Sequence, residues 1–173
     1  MLNHCNDEEI KNVFAANDFL VIQIDTDTCS LANYDVDVYE ENHKKVSDEV
    51  LYERVKSRLF KNISEDMQKQ YGDRILFAIC INETECWLLP LYYENDAKKR
   101  CATTNCIYIL NQRLQTEGIG IPDKAKNSPE AIQVYNKVLK QLKRKDIPRI
   151  AQYNFGFRKF VEQMDGIKDL VLR

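Results

Sequence analysis

The stretch Phe19-Leu-Val-Ile-Gln-Ile-Asp-Thr-Asp27 is an apolar, β-branched run that stops on two carboxylates. Continuous apolarity over this length is the pattern of a strand covered on both faces, as in a parallel sheet flanked by helices. In open α/β sheets the functional crevice lies just beyond the carboxyl ends of such strands. Asp25 and Asp27 are two apart, so while the chain stays extended they point to one side, where their oxygens can share one divalent cation. Asp-Thr-Asp also serves simply to turn the chain, because Asp and Thr cap helices and bend loops. Both readings stand at this point.

Outward from that stretch the pattern is strand, helix, strand. Asp7 to Asn17 opens with Asp-Glu-Glu and places Ile10, Val13 and Phe14 on one face, a short helix with acids at its positive end. Ser47 caps a second helix whose stripe is Leu51, Val55, Leu59 and Ile63. Gly72 closes the polar stretch that follows, and Arg74-Ile-Leu-Phe-Ala-Ile-Cys-Ile81 is a second strand, apolar throughout. A helix between two such strands is a βαβ unit, so the strands are expected to run parallel in one sheet. The fold class is therefore α/β, with a mainly parallel sheet flanked by helices. At 173 residues a single domain spanning 1–173 is expected, with the helices from about residue 129 packing on or extending it.

The second strand also ends in acid. Asn82, Glu83 and Glu85 precede Cys86-Trp-Leu-Leu-Pro-Leu-Tyr-Tyr93. Neighbouring parallel strands bring their carboxyl ends to one edge, so Glu83 or Glu85 is positioned to join Asp25 and Asp27. Mutual repulsion among such carboxylates favours a bound divalent cation, Mg²⁺ or Mn²⁺, which serves phosphate chemistry. The same two glutamates also suit the first turn of a following helix. Asp35, Asp37, Glu40 and Glu41 lie in the loop between and are expected to be solvated.

Composition restricts the partners. A net charge of −2 and 44% hydrophobic residues describe an ordinary globular chain with no global polyanion signal, so any contact with DNA or RNA must be local. The best local candidate is the cationic end of the helix starting at Ser128-Pro129-Glu130, with Lys140, Lys143 and Arg144, together with Arg158 on a last helix from about Phe155 to Met164. In the Ser128 helix, Ile132, Tyr135, Val138, Leu139 and Leu142 are expected to face inward, and Pro148 to end the segment. The N-terminus lacks a basic-then-apolar order and no run approaches bilayer length, so no membrane association and a cytoplasmic location are expected. Six cysteines are scattered without a Cys-x-x-Cys pair, and His4 and His43 are the only histidines. That spacing argues against a zinc site and for reduced, mostly buried thiols. Trp87 is expected in the core. The loop from Thr116 to Ser128 is not a phosphate loop, because it lacks the Gly-Lys-Ser/Thr ending.

Three stretches together, Asp25-Thr-Asp27 at a strand end, Ile79-Cys-Ile-Asn-Glu-Thr-Glu-Cys-Trp-Leu-Leu89, and Asn154-Phe-Gly-Phe-Arg-Lys-Phe160, resemble bacterial Toprim-like proteins, including families encoded beside mobile-element and phage-defence genes. The resemblance implies a compact Toprim fold that coordinates magnesium or manganese to cut or rejoin a phosphodiester backbone. It implies Asp25 and Asp27 as metal ligands, and Glu85, just before Cys86-Trp87, as a catalytic acid. Toprim catalysis also uses a glutamate at the end of an earlier strand, and only about eighteen residues precede Phe19. Upstream sequence, a partner protein, or a reduced non-catalytic version each accounts for that departure.

Two other classes compete. Haloacid-dehalogenase-like phosphatases also place Asp-x-Asp after a strand, with the first Asp as nucleophile. They want Thr two positions after the second Asp, where this chain has Cys29. A non-catalytic subunit or interaction module of a defence system needs no acidic site at all. A Ser-His-Asp hydrolase is disfavoured, because neither histidine has a catalytic setting.

Overall fold

The structure is a computed structural model that describes residues 6–32, 34–122, 126 and 128–171. His4, Cys5 and part of the 116–128 loop lie outside the described residues. The chain is mixed α/β, mostly helical, with a two-stranded parallel sheet. It divides into two compact units: residues 1–82 with 155–173, and residues 83–154.

The first unit is built on β1 (Leu20–Asp25) and β2 (Ile75–Cys80), which pair parallel and in register from Leu20 opposite Ile75 to Asp25 opposite Cys80. The expected βαβ topology is therefore present. Its crossover, however, contains two helices rather than one. Helix α2 (Asp48–Phe60) is capped by Ser47, whose hydroxyl accepts from Val50 N–H at 3.3 Å, and it stops at Lys61. Ser64 then caps a separate α3 (Glu65–Tyr71). The break was hidden because Ile63 continues the buried stripe of Leu51, Val55 and Leu59 even though it lies between the helices. Helix α1 (Asp7–Phe14) is tied to this crossover by its first residue: Asp7 accepts the Ser64 backbone N–H at 2.9 Å. The Ser64 hydroxyl and this N–H together hold the Asp7 carboxyl below its usual range.

The two strands differ in burial. All six residues of β2 are buried, and Ile75, Phe77 and Ile79 pack with Leu51, Val55 and Leu59 of α2. Burying a side chain such as Phe77 stabilises by about 1.5–3 kcal/mol. In β1, by contrast, only Leu20, Ile22 and Ile24 turn toward that core, while Val21 and Gln23 are exposed. The expectation that β1 is covered on both faces is corrected here: its apolarity is continuous, but its burial alternates with period two. Helix α9 (Phe155–Val171) packs on β2 and satisfies a backbone position there. Gln163 accepts the Phe77 N–H at 2.9 Å and donates to the Phe77 carbonyl at 3.0 Å. A side-chain amide thus replaces a neighbouring strand, meeting the rule that buried backbone groups are paired.

The second unit is helical: α4 (Leu89–Tyr92), α5 (Ala97–Arg100), α6 (Cys106–Leu114), α7 (Pro129–Gln141) and α8 (Ile147–Ala151). Its core is Cys86, Leu89, Cys106, Leu110, Leu114, Ile121 and Val138. The loop after α6 is fastened by Asn111, which donates to the Ile121 carbonyl at 2.8 Å and accepts its N–H at 2.7 Å. Ser128 caps α7 as expected, accepting from Ala131 N–H at 3.2 Å. The inward face of α7 is Ala131, Val134, Tyr135 and Val138; Ile132 and Leu139 are about half exposed, contrary to expectation. Small Ala131 allows close approach on one stripe, and Ile132 and Leu139, seven apart, share another. Pro148 does not end a helix but sits in the first turn of α8, as Pro90 does in α4, where the missing N–H costs no bond. Cys86 and Cys106 form a disulfide, which corrects the expectation of reduced thiols for that pair. Cys29 and Cys80 are buried and Cys101 exposed, none of the three in a disulfide. No described helix is long and apolar enough to cross a membrane.

Candidate functional site

The strand-end acids belong to the first unit, and the pairing of β1 with β2 fixes where they emerge. Just past the strands, Thr26 N–H donates to the Cys80 carbonyl at 3.0 Å, and Asp27 N–H to the Asn82 carbonyl at 3.2 Å. The buried Thr26 hydroxyl accepts the Asn82 N–H at 2.8 Å. Asn82 holds a left-handed backbone, φ 60°, a conformation that Asn tolerates better than most residues. The carboxyl ends of the two strands are thereby locked together. The extended conformation stops there: Thr26 bends, and its carbonyl accepts the Cys29 N–H at 3.2 Å to close a turn that Asp27 opens. The premise that Asp25 and Asp27 share one side of an extended chain therefore holds only as far as Thr26.

Asp25 is half-buried and Asp27 exposed. The Gln23 amide donates to Asp25 Oδ1 at 3.0 Å, an i, i+2 contact along the outer face of β1. Sequence reading missed this partner, although the period of the strand announces it. Both acids offer hard oxygen donors of the kind Mg²⁺ and Mn²⁺ take together with water. Among the described residues of the first unit, no third His, Cys, Asp or Glu ligand atom joins them within 4.8 Å. Asp35, Glu40 and Glu41 are solvated, and Asp37 spends Oδ1 on the Tyr39 N–H at 3.0 Å.

Glu83 and Glu85 belong to the second unit, at a 3₁₀ turn spanning Thr84–Leu88. Glu85 is 3% exposed. Its Oε1 accepts the Tyr135 hydroxyl, and its Oε2 lies 3.4 Å from Lys126 Nζ. A carboxylate this buried requires a cation and hydrogen bonds together, and it has both. Tyr135 comes from the inward face of α7, as the sequence pattern expects; that it and Lys126 are partners of Glu85 is not legible from the sequence, since they lie 50 and 41 residues away. Glu83 takes another place. It precedes the turn, its carbonyl accepts the Cys86 N–H at 3.1 Å, and its carboxylate approaches the sulfurs of Cys86 and Cys106.

The cationic candidates are shared between the units. Lys140, Lys143 and Arg144 are exposed in the second unit and form no ion pair among the described residues. Arg158, on α9 in the first, lies over the Phe155 ring at 5.2 Å and 3.9 Å from Glu162. Compared with protein-family models, curated proteins and solved structures, the chain matches none of them.

Proposed function

We propose that the chain is a Toprim-like domain that carries out divalent-metal-dependent phosphodiester chemistry on DNA or RNA. The reading rests on one observation. Two parallel strands end in register, and next to the Thr26–Asn82 lock stand Asp25, the last residue of β1 and half-buried, and Asp27, just past the end and exposed. Mg²⁺ or Mn²⁺ held there supplies a Lewis acid for a phosphate oxygen. Asp25, oriented by Gln23, and Asp27 are the ligands in this reading. Lys140, Lys143, Arg144 and Arg158 are the residues to hold a phosphate backbone, as exposed cations do. Glu85 is the acid of the tryptophan element, and using it on a substrate requires Tyr135 and Lys126 to release it.

Calorimetric titration of Mg²⁺ and Mn²⁺ into wild type and the Asp25→Asn/Asp27→Asn double variant tests the metal. Binding in the wild type alone, together with metal-dependent cleavage of a nucleic acid that the folded double variant lacks, supports the reading. Equal binding by both proteins, or none, rejects it. A second reading, a non-catalytic subunit that relies on a partner, is favoured by the lack of a third ligand beside Asp25 and Asp27 among the described residues of the first unit. It expects no cleavage and a constant partner on pull-down.

A further inference from the structure

Glu83, Cys86 and Cys106 bring one carboxylate oxygen and two sulfurs within 4.8 Å of one another, all inside the second unit. Both sulfurs belong to buried residues, Cys86 at 1% and Cys106 at 0% exposure. Glu83 Oε2 is buried and accepts no hydrogen bond among the described residues. A buried carboxylate oxygen without a donor is costly, and such groups are rare unless something fills the place. Protein donors fill it for Glu85, two residues on. For Glu83 the neighbours are sulfur atoms, which in the disulfide carry no proton to donate.

We propose that this cluster is a redox-gated zinc site: with the disulfide intact it holds no metal, and with the disulfide reduced it binds one Zn²⁺ through Cys86 Sγ, Cys106 Sγ and a Glu83 carboxylate oxygen. Two thiolates and a carboxylate are ligands zinc accepts, and three protein ligands leave a fourth, tetrahedral position for water. Zn–S bonds of about 2.3 Å in a tetrahedron separate the two sulfurs by about 3.8 Å. Side-chain rotation across a Cα–Cα distance of 5.0 Å supplies that separation. Cys106 opens α6, where the positive end of the helix favours a thiolate. Before metal enters, its S–H has an acceptor in the Ala102 carbonyl, 3.5 Å away.

The chemistry closes with a dithiol as reductant. Its two sulfhydryls become a disulfide as the Cys86–Cys106 bond takes up two electrons and two protons, giving two thiols. Zn²⁺ then displaces those two protons. A disulfide oxidant reverses the sequence, taking two electrons from the thiolates and expelling the metal. The spacing of the cysteines argued against zinc because it was judged along the chain, where Cys86 and Cys106 stand 20 apart; the fold makes them neighbours.

This inference rests on no part of the proposed phosphodiester activity, and its test separates the two. The full chain is reduced with dithiothreitol, freed of reductant without oxygen, and titrated with Zn²⁺ by calorimetry and with Co²⁺ by absorbance. Expected are a thiolate-to-cobalt charge-transfer band that saturates at one metal per reduced chain, no such band in the oxidised protein, and affinity for that site at least ~10-fold weaker in Glu83→Gln. Cys101→Ser and the Asp25→Asn/Asp27→Asn variant should keep the full thiolate band, whether or not the strand-end acids bind metal of their own. If reduction unfolds the second unit, Zn²⁺ should restore the helical circular dichroism. The proposal is overturned by reduced, folded wild type that takes no zinc, by an unfolded reduced form that zinc does not rescue, by binding without the thiolate band, or by a Glu83→Gln protein that binds as tightly as wild type.

Discussion

The two units handle their carboxylates in opposite ways. Asp25 and Asp27 stand at a strand end, Asp25 half-buried with the Gln23 amide donating to it and Asp27 exposed to solvent. Glu85 is enclosed and depends on a tyrosine and a lysine brought from far along the chain. An exposed acid needs only to be delivered to its place, which local pattern achieves. A buried acid needs a built environment, and that comes from tertiary structure. The same contrast runs through the frameworks: backbone pairing organises the first unit, whereas side-chain packing and a disulfide organise the second.

Four experiments would sharpen or break that contrast. Phe77→Ala in the first core and Leu110→Ala in the second should each cost about 2–5 kcal/mol in denaturant unfolding. Hydrogen exchange should rise chiefly in the unit that carries the substitution; a uniform rise in both would dissolve the distinction between the units. Tyr135→Phe removes a donor from buried Glu85 and should cost about 1–3 kcal/mol. Gln23→Ala, at exposed Asp25, should stay within about 0.5 kcal/mol. Equal costs for these two would mean that Asp25 is more dependent on its partner than its exposure implies.

The helix caps should behave alike in both units. Ser47→Ala and Ser128→Ala should each lose about 1 kcal/mol, measured by thermal or denaturant unfolding. The smallest effect at neutral pH belongs to Tyr52. Burial pushes its phenol up to about 12, above the ordinary value of about 10. Between those values the unfolded chain has lost a proton that the folded one retains, so stability should fall as pH rises from about 10 to 12, by up to ~1.4 kcal/mol per pH unit. Tyr52→Phe should make that slope shallower, leaving the shares of Tyr92 and Tyr93, whose phenols burial also pushes up.

Much of the first unit was legible because its signals are local. The two apolar runs became parallel strands, Ser47 capped its helix, and the stripe of Leu51, Val55 and Leu59 went inward. What misled was apolarity taken for burial: Val21 in β1 and Ile132 and Leu139 in α7 are apolar and substantially exposed. Hydrophobic pattern narrows which faces compete for the core, while neighbours and side-chain size decide which one wins. At the site, Asp25 arrived at the end of β1, while the chain bends at Thr26 and places Asp27 in the turn that follows. Glu83 and Glu85, two apart and alike on paper, went to a pair of sulfurs and to a tyrosine–lysine pair, respectively. No local rule distinguishes them, because their partners are set by the packing of α6 and α7.

The Gln163 clamp also orders events in time. Phe77 leaves the ribosome 86 residues ahead of the amide that satisfies its backbone, and the whole of the second unit is translated in the interval. Domains generally fold as units during synthesis, earlier segments first. Here every residue of the inserted unit is synthesised before the last segment of the surrounding one. Until α9 emerges, the Phe77 N–H and carbonyl of the nascent β2 lack the Gln163 amide that satisfies them in the folded protein, and an unsatisfied strand edge is a template for pairing with another chain.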